Sequence, residues 1–256
     1  MNRSVVAGAS FIALAAVNPA FAAPPAIYNW TGFYVGGNVG YSFGKADTNL
    51  SDPSFTEFGS GFGLPGAFPA MLHPDGVIGG GQFGYNWQNG PAIFGFETDF
   101  QGSDEKASAI FSTPYSCDVE GSTCTLSQTR DARINWFGTV RGRIGWLISP
   151  MTMMYGTAGL AYGKVSVSGT VLDDPFNTGA GFTFSDSKVK AGLAVGGGIE
   201  GAVTGISGLT VKVEYLYIDL GTLSGSGLNP ITGNIYTWDA RFSDHIARIG
   251  FNYKLP

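Results

Sequence analysis

Charge is scarce in this chain. Only 13% of its 256 residues are Asp, Glu, Lys or Arg, against roughly 25% in an ordinary soluble domain. Cysteine and histidine number two each, which leaves little material for a metal centre or a histidine-based catalytic apparatus. A basic excess is also missing. The net charge of −5, the pI near 4.9 and the lack of any basic patch along the sequence argue against a nucleic acid partner. After the first 22 residues no run approaches the ~18 consecutive apolar residues of a transmembrane helix. If this chain crosses a membrane, it crosses with strands.

What is abundant is glycine and aromatic residues, 40 Gly and 14% Phe, Trp and Tyr. Residues 1–22 carry Arg3, an apolar run from Val5 to Val17 and the small-x-small ending Ala20-Phe21-Ala22, the pattern of an export leader. Cleavage after Ala22 is expected, leaving one domain over residues 23–256. The stretch from Trp30 to Gly44 then sets the theme. Phe33, Val35, Val39, Tyr41 and Phe43 alternate with Tyr34, Gly36, Asn38, Gly40 and Ser42. A period of two means a strand, and its second face is small and polar where a soluble sheet carries charge. Such a strand reads inside out, with apolar groups toward lipid and small polar groups toward a barrel lumen. A soluble, lipocalin-like barrel is the bland alternative, although it would put aromatics inside and charge outside.

The pattern recurs over Val77–Gln88, Ala92–Gly102, Arg133–Trp146, Thr152–Val165, Lys188–Ala202, Leu209–Leu220 and a last strand ending at Leu255. The connectors alternate long and short. Asn89-Gly90, Ser149-Pro150 and Thr204–Gly208 are tight turns, while the intervening connectors are long and without usable periodicity. The expectation is an all-β fold, an eight-stranded antiparallel transmembrane β-barrel with four long extracellular loops and three short periplasmic turns. Both chain ends then lie at the periplasmic side. Trp30, Trp87, Trp146 and Tyr253 fall at that end and are expected to form an aromatic girdle.

Alternation places Glu97, Asp99, Glu200 and Glu214 on the inner face with Arg141, Arg143, Lys190, Lys212, Arg248 and Lys254. Buried charges need partners, so a salt-bridge network inside the barrel is expected. A narrow solute channel is the functional alternative. An open pore of porin width is not expected, since that takes ~16 strands. Cys117 and Cys124, with Gly121 and Ser122 between them, suit a loop disulfide in an oxidising compartment. His73 and His245, the latter following Ser243-Asp244, have no hydrolase spacing and read as a loop and a strand-rim histidine. A lipid-modifying enzyme stays as the remote alternative. The chain finishes on Leu255 and Pro256 where outer-membrane barrels usually carry a terminal aromatic.

The stretch from Trp30 to Gly44 also resembles the start of the barrel in the outer-membrane immunogenic, or RopB-type, proteins of alphaproteobacteria, relatives of the OmpA-like barrels. The likeness returns at Trp136–Arg143, Gly159–Gly163, Val211–Tyr217 and His245–Leu255. That resemblance implies an eight-stranded barrel in the outer membrane with envelope and surface roles, and no catalytic residue or cofactor. The implied partners are outer-membrane lipids and lipopolysaccharide, the barrel-assembly machinery, and host or envelope proteins met through the loops.

Overall fold

A computed structural model describes residues 28–52, 67–116, 123–173, 181–228 and 235–256. The expected leader and Cys117 lie outside them. The described chain forms β1 (Gly32–Ser51), β2 (Ala67–Leu72), β3 (Asp75–Asn89), β4 (Ala92–Ser116), β5 (Thr123–Ser149), β6 (Thr152–Asp173), β7 (Gly181–Ala202), β8 (Leu209–Leu228) and β9 (Ile235–Lys254). All pairings are antiparallel between neighbours, and β1 also pairs with β9, so the sheet closes on itself. Closure leaves no free edge around the ring near the chain ends.

Nine strands stand where alternation suggests eight. β2 and β3 lie end to end along the same edge of β1, with Ser51 to Ala46 facing β2 and Phe43 to Gly32 facing β3. The break falls at His73 and Pro74. Proline has no N–H for the ladder, and the Pro74 carbonyl accepts from Gly44 N at 3.1 Å instead. The ring therefore keeps eight positions.

At the periplasmic end, Gly90 (φ 58°) and Pro91 join β3 to β4, Pro150 and Met151 join β5 to β6, and Gly205 and Gly208 (φ 86° and 82°) turn the chain between β7 and β8. Both chain ends lie here, where Leu255 N donates to Phe33 O at 2.8 Å and Tyr28 N to Pro150 O at 2.9 Å.

The strands continue far into what the sequence reads as loops. β5 holds 27 residues, against the ~9–11 that a tilted strand needs to cross a bilayer. Two storeys result. In the lower one the exposed face is apolar, carried by residues such as Val39, Phe94, Val140, Leu160, Val213 and Ile249. It is bounded above by Phe43, Phe100, Trp136, Tyr162 and Tyr217, among which Phe100 stacks on Trp136 at 5.4 Å and Trp136 meets Tyr162 edge-on at 6.3 Å. Trp136 and Trp146 on β5 are ten residues apart, which at ~3.3 Å per residue and ~40° tilt is a height of about 25 Å, that of a barrel's lipid-facing band.

Above that belt the alternation inverts. Ala46, Leu50, Val165, Val167, Val171, Trp238 and Phe242 point inward and form one buried cluster with Leu126, Phe184 and Leu223. Along β9 the apolar residues are Tyr236, Trp238, Phe242 and Ile246 on the inner face, then Ile249, Phe251 and Tyr253 on the outer. The physical cause is the surroundings. Lipid outside favours apolar groups facing out, and water outside favours apolar groups facing in. In this storey β7 and β8 pair only as far as Leu193 and Asp219. Beyond it, Phe182 stacks on Tyr236 at 4.3 Å and Phe184 on Trp238 at 5.5 Å. Gly225 lies opposite Trp238, and a methyl group there would strike the indole.

Candidate functional site: the barrel lumen

In the lower storey, strand register sets acids directly opposite bases. Glu97 faces Arg141, Glu200 faces Lys212 and Glu214 faces Arg248 across neighbouring strands. All point into the lumen, where long side chains from opposite walls meet. Arg141 sits at the centre. Its Nη2 donates to Glu97 Oε1 at 2.7 Å and Asp99 Oδ2 at 2.8 Å, its Nη1 to Glu214 Oε1 at 3.1 Å and its Nε to Thr139 Oγ1 at 2.8 Å. Lys212 Nζ reaches both oxygens of Glu97 at 2.8 Å. Arg248 bonds Asp99 at 2.8 Å and, through Nε, Glu214 at 2.6 Å.

A second group hangs from Arg143. Its Nη2 donates to Glu200 at 2.8 Å and its Nη1 to the Tyr34 hydroxyl at 3.0 Å, while the guanidinium lies 4.0 Å from the centre of the Tyr155 ring. Tyr34 donates onward to Glu97 at 2.9 Å and Tyr155 to Glu214 at 3.0 Å. Glu200 is also held by Thr210 and Asn252, at 2.5 and 2.8 Å. The acids Glu97, Asp99, Glu200 and Glu214 thus balance the cations Arg141, Arg143, Lys212 and Arg248, and every one of them is buried.

The structure brings eight of the ten inner-face charges together and separates two. Lys254 is at the periplasmic mouth, where Nζ donates to Asn29 O at 2.7 Å. Lys190 stands opposite Gly163, well above the network, and holds no carboxylate among the described residues. Each has the inward phase at the wrong height, so neither belongs to the network. Tyr34 and Tyr155 join the network as partners that the sequence marks only by their inward phase.

The girdle needs a similar correction. Trp87, Trp146 and Tyr253 face outward with 50%, 56% and 47% exposure, but Trp30 is 3% exposed. Trp30 is in phase with Tyr34, and the segment before β1 turns across the mouth, its backbone N donating to Gln88 Oε1 at 2.9 Å. The indole packs with Ile93, Met153 and Tyr155 and caps the lumen from below.

Just above the outer belt lies a carboxylate pair without a counter-charge. Glu105 accepts from Ser103 at 2.7 Å, and Asp244 accepts from Ser42. No Lys or Arg pairs with either among the described residues. Burial first, and the neighbouring Asp244 charge second, push the Glu105 carboxyl up to about 9, and burial raises Asp244 as well. Asp244 faces inward whereas His245 is exposed on the outer face, its Nδ1 2.5 Å from the Tyr215 hydroxyl. Strand alternation therefore splits the Ser243-Asp244-His245 cluster, and His73 is exposed. Cys124 is disulfide-bonded.

The described wall and lumen agree with the comparisons to known proteins. The family model for the outer membrane protein beta-barrel domain matches residues 9–254. The 31 kDa outer-membrane immunogenic proteins of Brucella melitensis and Brucella suis are each 37% identical over 237 residues, covering 91% of this chain and 87% of theirs. A 22 kDa outer membrane protein of Rhizobium leguminosarum is 32% identical over 193 residues, 75% of this chain and 64% of its own. Among solved structures, OprG of Pseudomonas aeruginosa aligns over 90% of this chain and 99% of its own at 15% identity and a TM-score of 0.45.

Proposed function

Because this chain belongs to the outer membrane protein beta-barrel family and its relatives are outer-membrane immunogenic proteins, we propose that it is a closed, non-catalytic envelope barrel that displays its upper storey at the cell surface. The observation that carries this reading is the filled lumen. Four acids and four cations interlock through the lower storey, Trp30 caps them from below, and an apolar cluster occupies the interior above. A pathway for ions or solutes would have to break several charge-assisted hydrogen bonds at once, each worth ~1.5–3 kcal/mol. Residues 1–22 act as the export leader, and residues 23–256 fold as one barrel.

The partners follow from the two surfaces. The lower storey meets outer-membrane lipids and lipopolysaccharide, and the barrel-assembly machinery delivers it there. The upper storey and loops meet host or envelope proteins, in keeping with the word immunogenic in the relatives' names. Catalysis finds no support in the histidines, since His245 is paired with Tyr215 on the outer wall. Planar-bilayer recording of the folded mature protein tests the reading. The expected result is no steady unitary conductance. A reproducible ohmic step in the wild-type protein would make it a narrow channel instead, and a mass shift in lipid A on incubation would make it an enzyme.

A further inference from the structure

The exposed cations above the outer belt fall into two sets. Lys45, Lys106, Lys188 and Arg241 each hold an aspartate, Asp47, Asp104, Asp186 and Asp219, at 2.9, 3.2, 2.8 and 2.7 Å. Arg133 and Lys164 are exposed and hold no carboxylate among the described residues. They are far apart in sequence, but strand register makes them neighbours. Arg133 on β5 faces Ser166 on β6, and Lys164 on β6 faces Trp136 on β5, so both flank the same short piece of outer wall.

Asn135 completes the group. A register shift between Ile134 and Trp136 turns Asn135 to the outer face, where its Oδ1 accepts from Ser166 Oγ at 2.8 Å, and Ser166 Oγ in turn meets Ser187 Oγ at 2.9 Å. That ladder fixes the amide with its Nδ2 donors free. Directly below is Trp136, stacked on Phe100 at 5.4 Å. Interfacial aromatics mark the level of the lipid headgroups. Arg133, Asn135 and Lys164 therefore present only hydrogen-bond donors at the height where a lipid's phosphate lies, on a chain whose net charge is −5. Asp131 on β5 lies further out, and on β4 Asp104 is held by Lys106, which faces Arg133.

We propose that Arg133, Asn135 and Lys164 form a binding site for a phosphate group of lipid A, with the acyl chains of that lipid running down over Trp136 and Tyr162. Guanidinium and ammonium groups suit a phosphate because charge-assisted bonds to it are short and strong. The site rests on the barrel's place in the outer membrane, with its chain ends periplasmic. The occupant is a membrane lipid, since the donors sit on the outer wall at the headgroup level, immediately above the lipid-facing band, and not in a loop or cavity.

The test is a titration of the full mature protein, folded in detergent micelles, with bisphosphorylated lipid A, read by native mass spectrometry. Wild-type protein is expected to bind one tight lipid A, to bind dephosphorylated lipid A weakly, and to keep its lipid in millimolar inorganic phosphate. The R133Q/K164Q variant is expected to lose about tenfold or more in affinity. The K45Q/R241Q variant removes two paired cations from the same storey and is expected to bind as wild type. Equal losses in both variants, unchanged binding by R133Q/K164Q, or displacement by inorganic phosphate would overturn the proposal. Should R133Q/K164Q not fold, the single variants R133Q and K164Q carry the same comparison. Membrane fractionation of cells reports separately on the barrel's location, so a misplaced barrel and a missing lipid site give different results.

Discussion

Arg141→Met removes the central cation of the lumen while keeping a long side chain in its place. Arg141 is 1% exposed and meets Glu97, Asp99 and Glu214 at 2.7, 2.8 and 3.1 Å. The network goes from neutral to a net charge of −1 at a site where every charged member is buried. At ~4 Å between charge centres and an effective dielectric constant of ~20, each lost attraction is about 4 kcal/mol, and part of it is offset because one less ion is desolvated. The net loss is expected at about 3–5 kcal/mol, the usual result of breaking a buried ion pair from one side. Glu97→Gln alone leaves the lumen at +1 and is also expected to destabilise. Combined, the two changes restore neutrality, so the double variant is expected to be less unstable than the sum of the singles by about 2 kcal/mol or more. Urea unfolding from phospholipid vesicles, followed by tryptophan fluorescence and by mobility on unheated gels, measures all three. Additivity within ~0.5 kcal/mol would refute a neutral interlocked lumen.

Three further outcomes follow from named contacts. Glu105 has a carboxyl raised from 4.5 to about 9 in the fold, so the unfolded chain ionises first as pH rises. Stability should therefore fall between about pH 4.5 and 9, and Glu105→Gln should flatten that slope and raise the unfolding free energy at pH 8 by roughly a few kcal/mol, read by urea unfolding at several pH values. Trp238→Ala, in the upper-storey cluster with Phe184, should cost about 3–5 kcal/mol, and Trp146→Ala on the exposed face considerably less, both by urea unfolding. Gly84 lies under the Tyr34 ring, which any Cβ there would strike. Gly84→Val should cost about 1–3 kcal/mol or more by the same measurement, and Tyr34→Phe should not rescue it, because the ring carbon Cζ and the Phe96 carbonyl still stand in the way and the hydroxyl's bonds to Glu97 and Arg143 are lost; recovery in the double variant would contradict this packing.

The lower storey was legible in the sequence because its alternation has a single phase from turn to belt. Phe33 to Phe43, Phe94 to Phe100 and Ile249 to Tyr253 name their outward faces directly, and the tight turns at Gly90, Pro150 and Gly205 set where each strand starts. Phase, however, gives a face and not a height. It assigned Lys190 and Lys254 inward as it did Arg141, and only register shows that Lys254 reaches Asn29 and that Lys190 stands opposite Gly163. The upper storey was hidden for a different reason. Its apolar residues change face at the belt, and register shifts between Gly102 and Glu105, Ile134 and Trp136, and Asp219 and Gly221 change the phase again. Asn135, inward by simple alternation, is outward for that reason. Averaged across such a switch, periodicity vanishes, and strands as long as β5 look like loops.

The inversion of faces at the outer belt is the claim on which the lipid-facing wall, the filled lumen and the surface storey all depend. Two single-tryptophan proteins test it directly, one keeping Trp146 and one keeping Trp238, each folded into vesicles whose acyl chains carry bromine. Trp146 faces outward in the lower storey and Trp238 inward in the upper. Strong quenching of Trp146 with Trp238 untouched is the predicted result. Equal quenching of both, or of Trp238 alone, would contradict it.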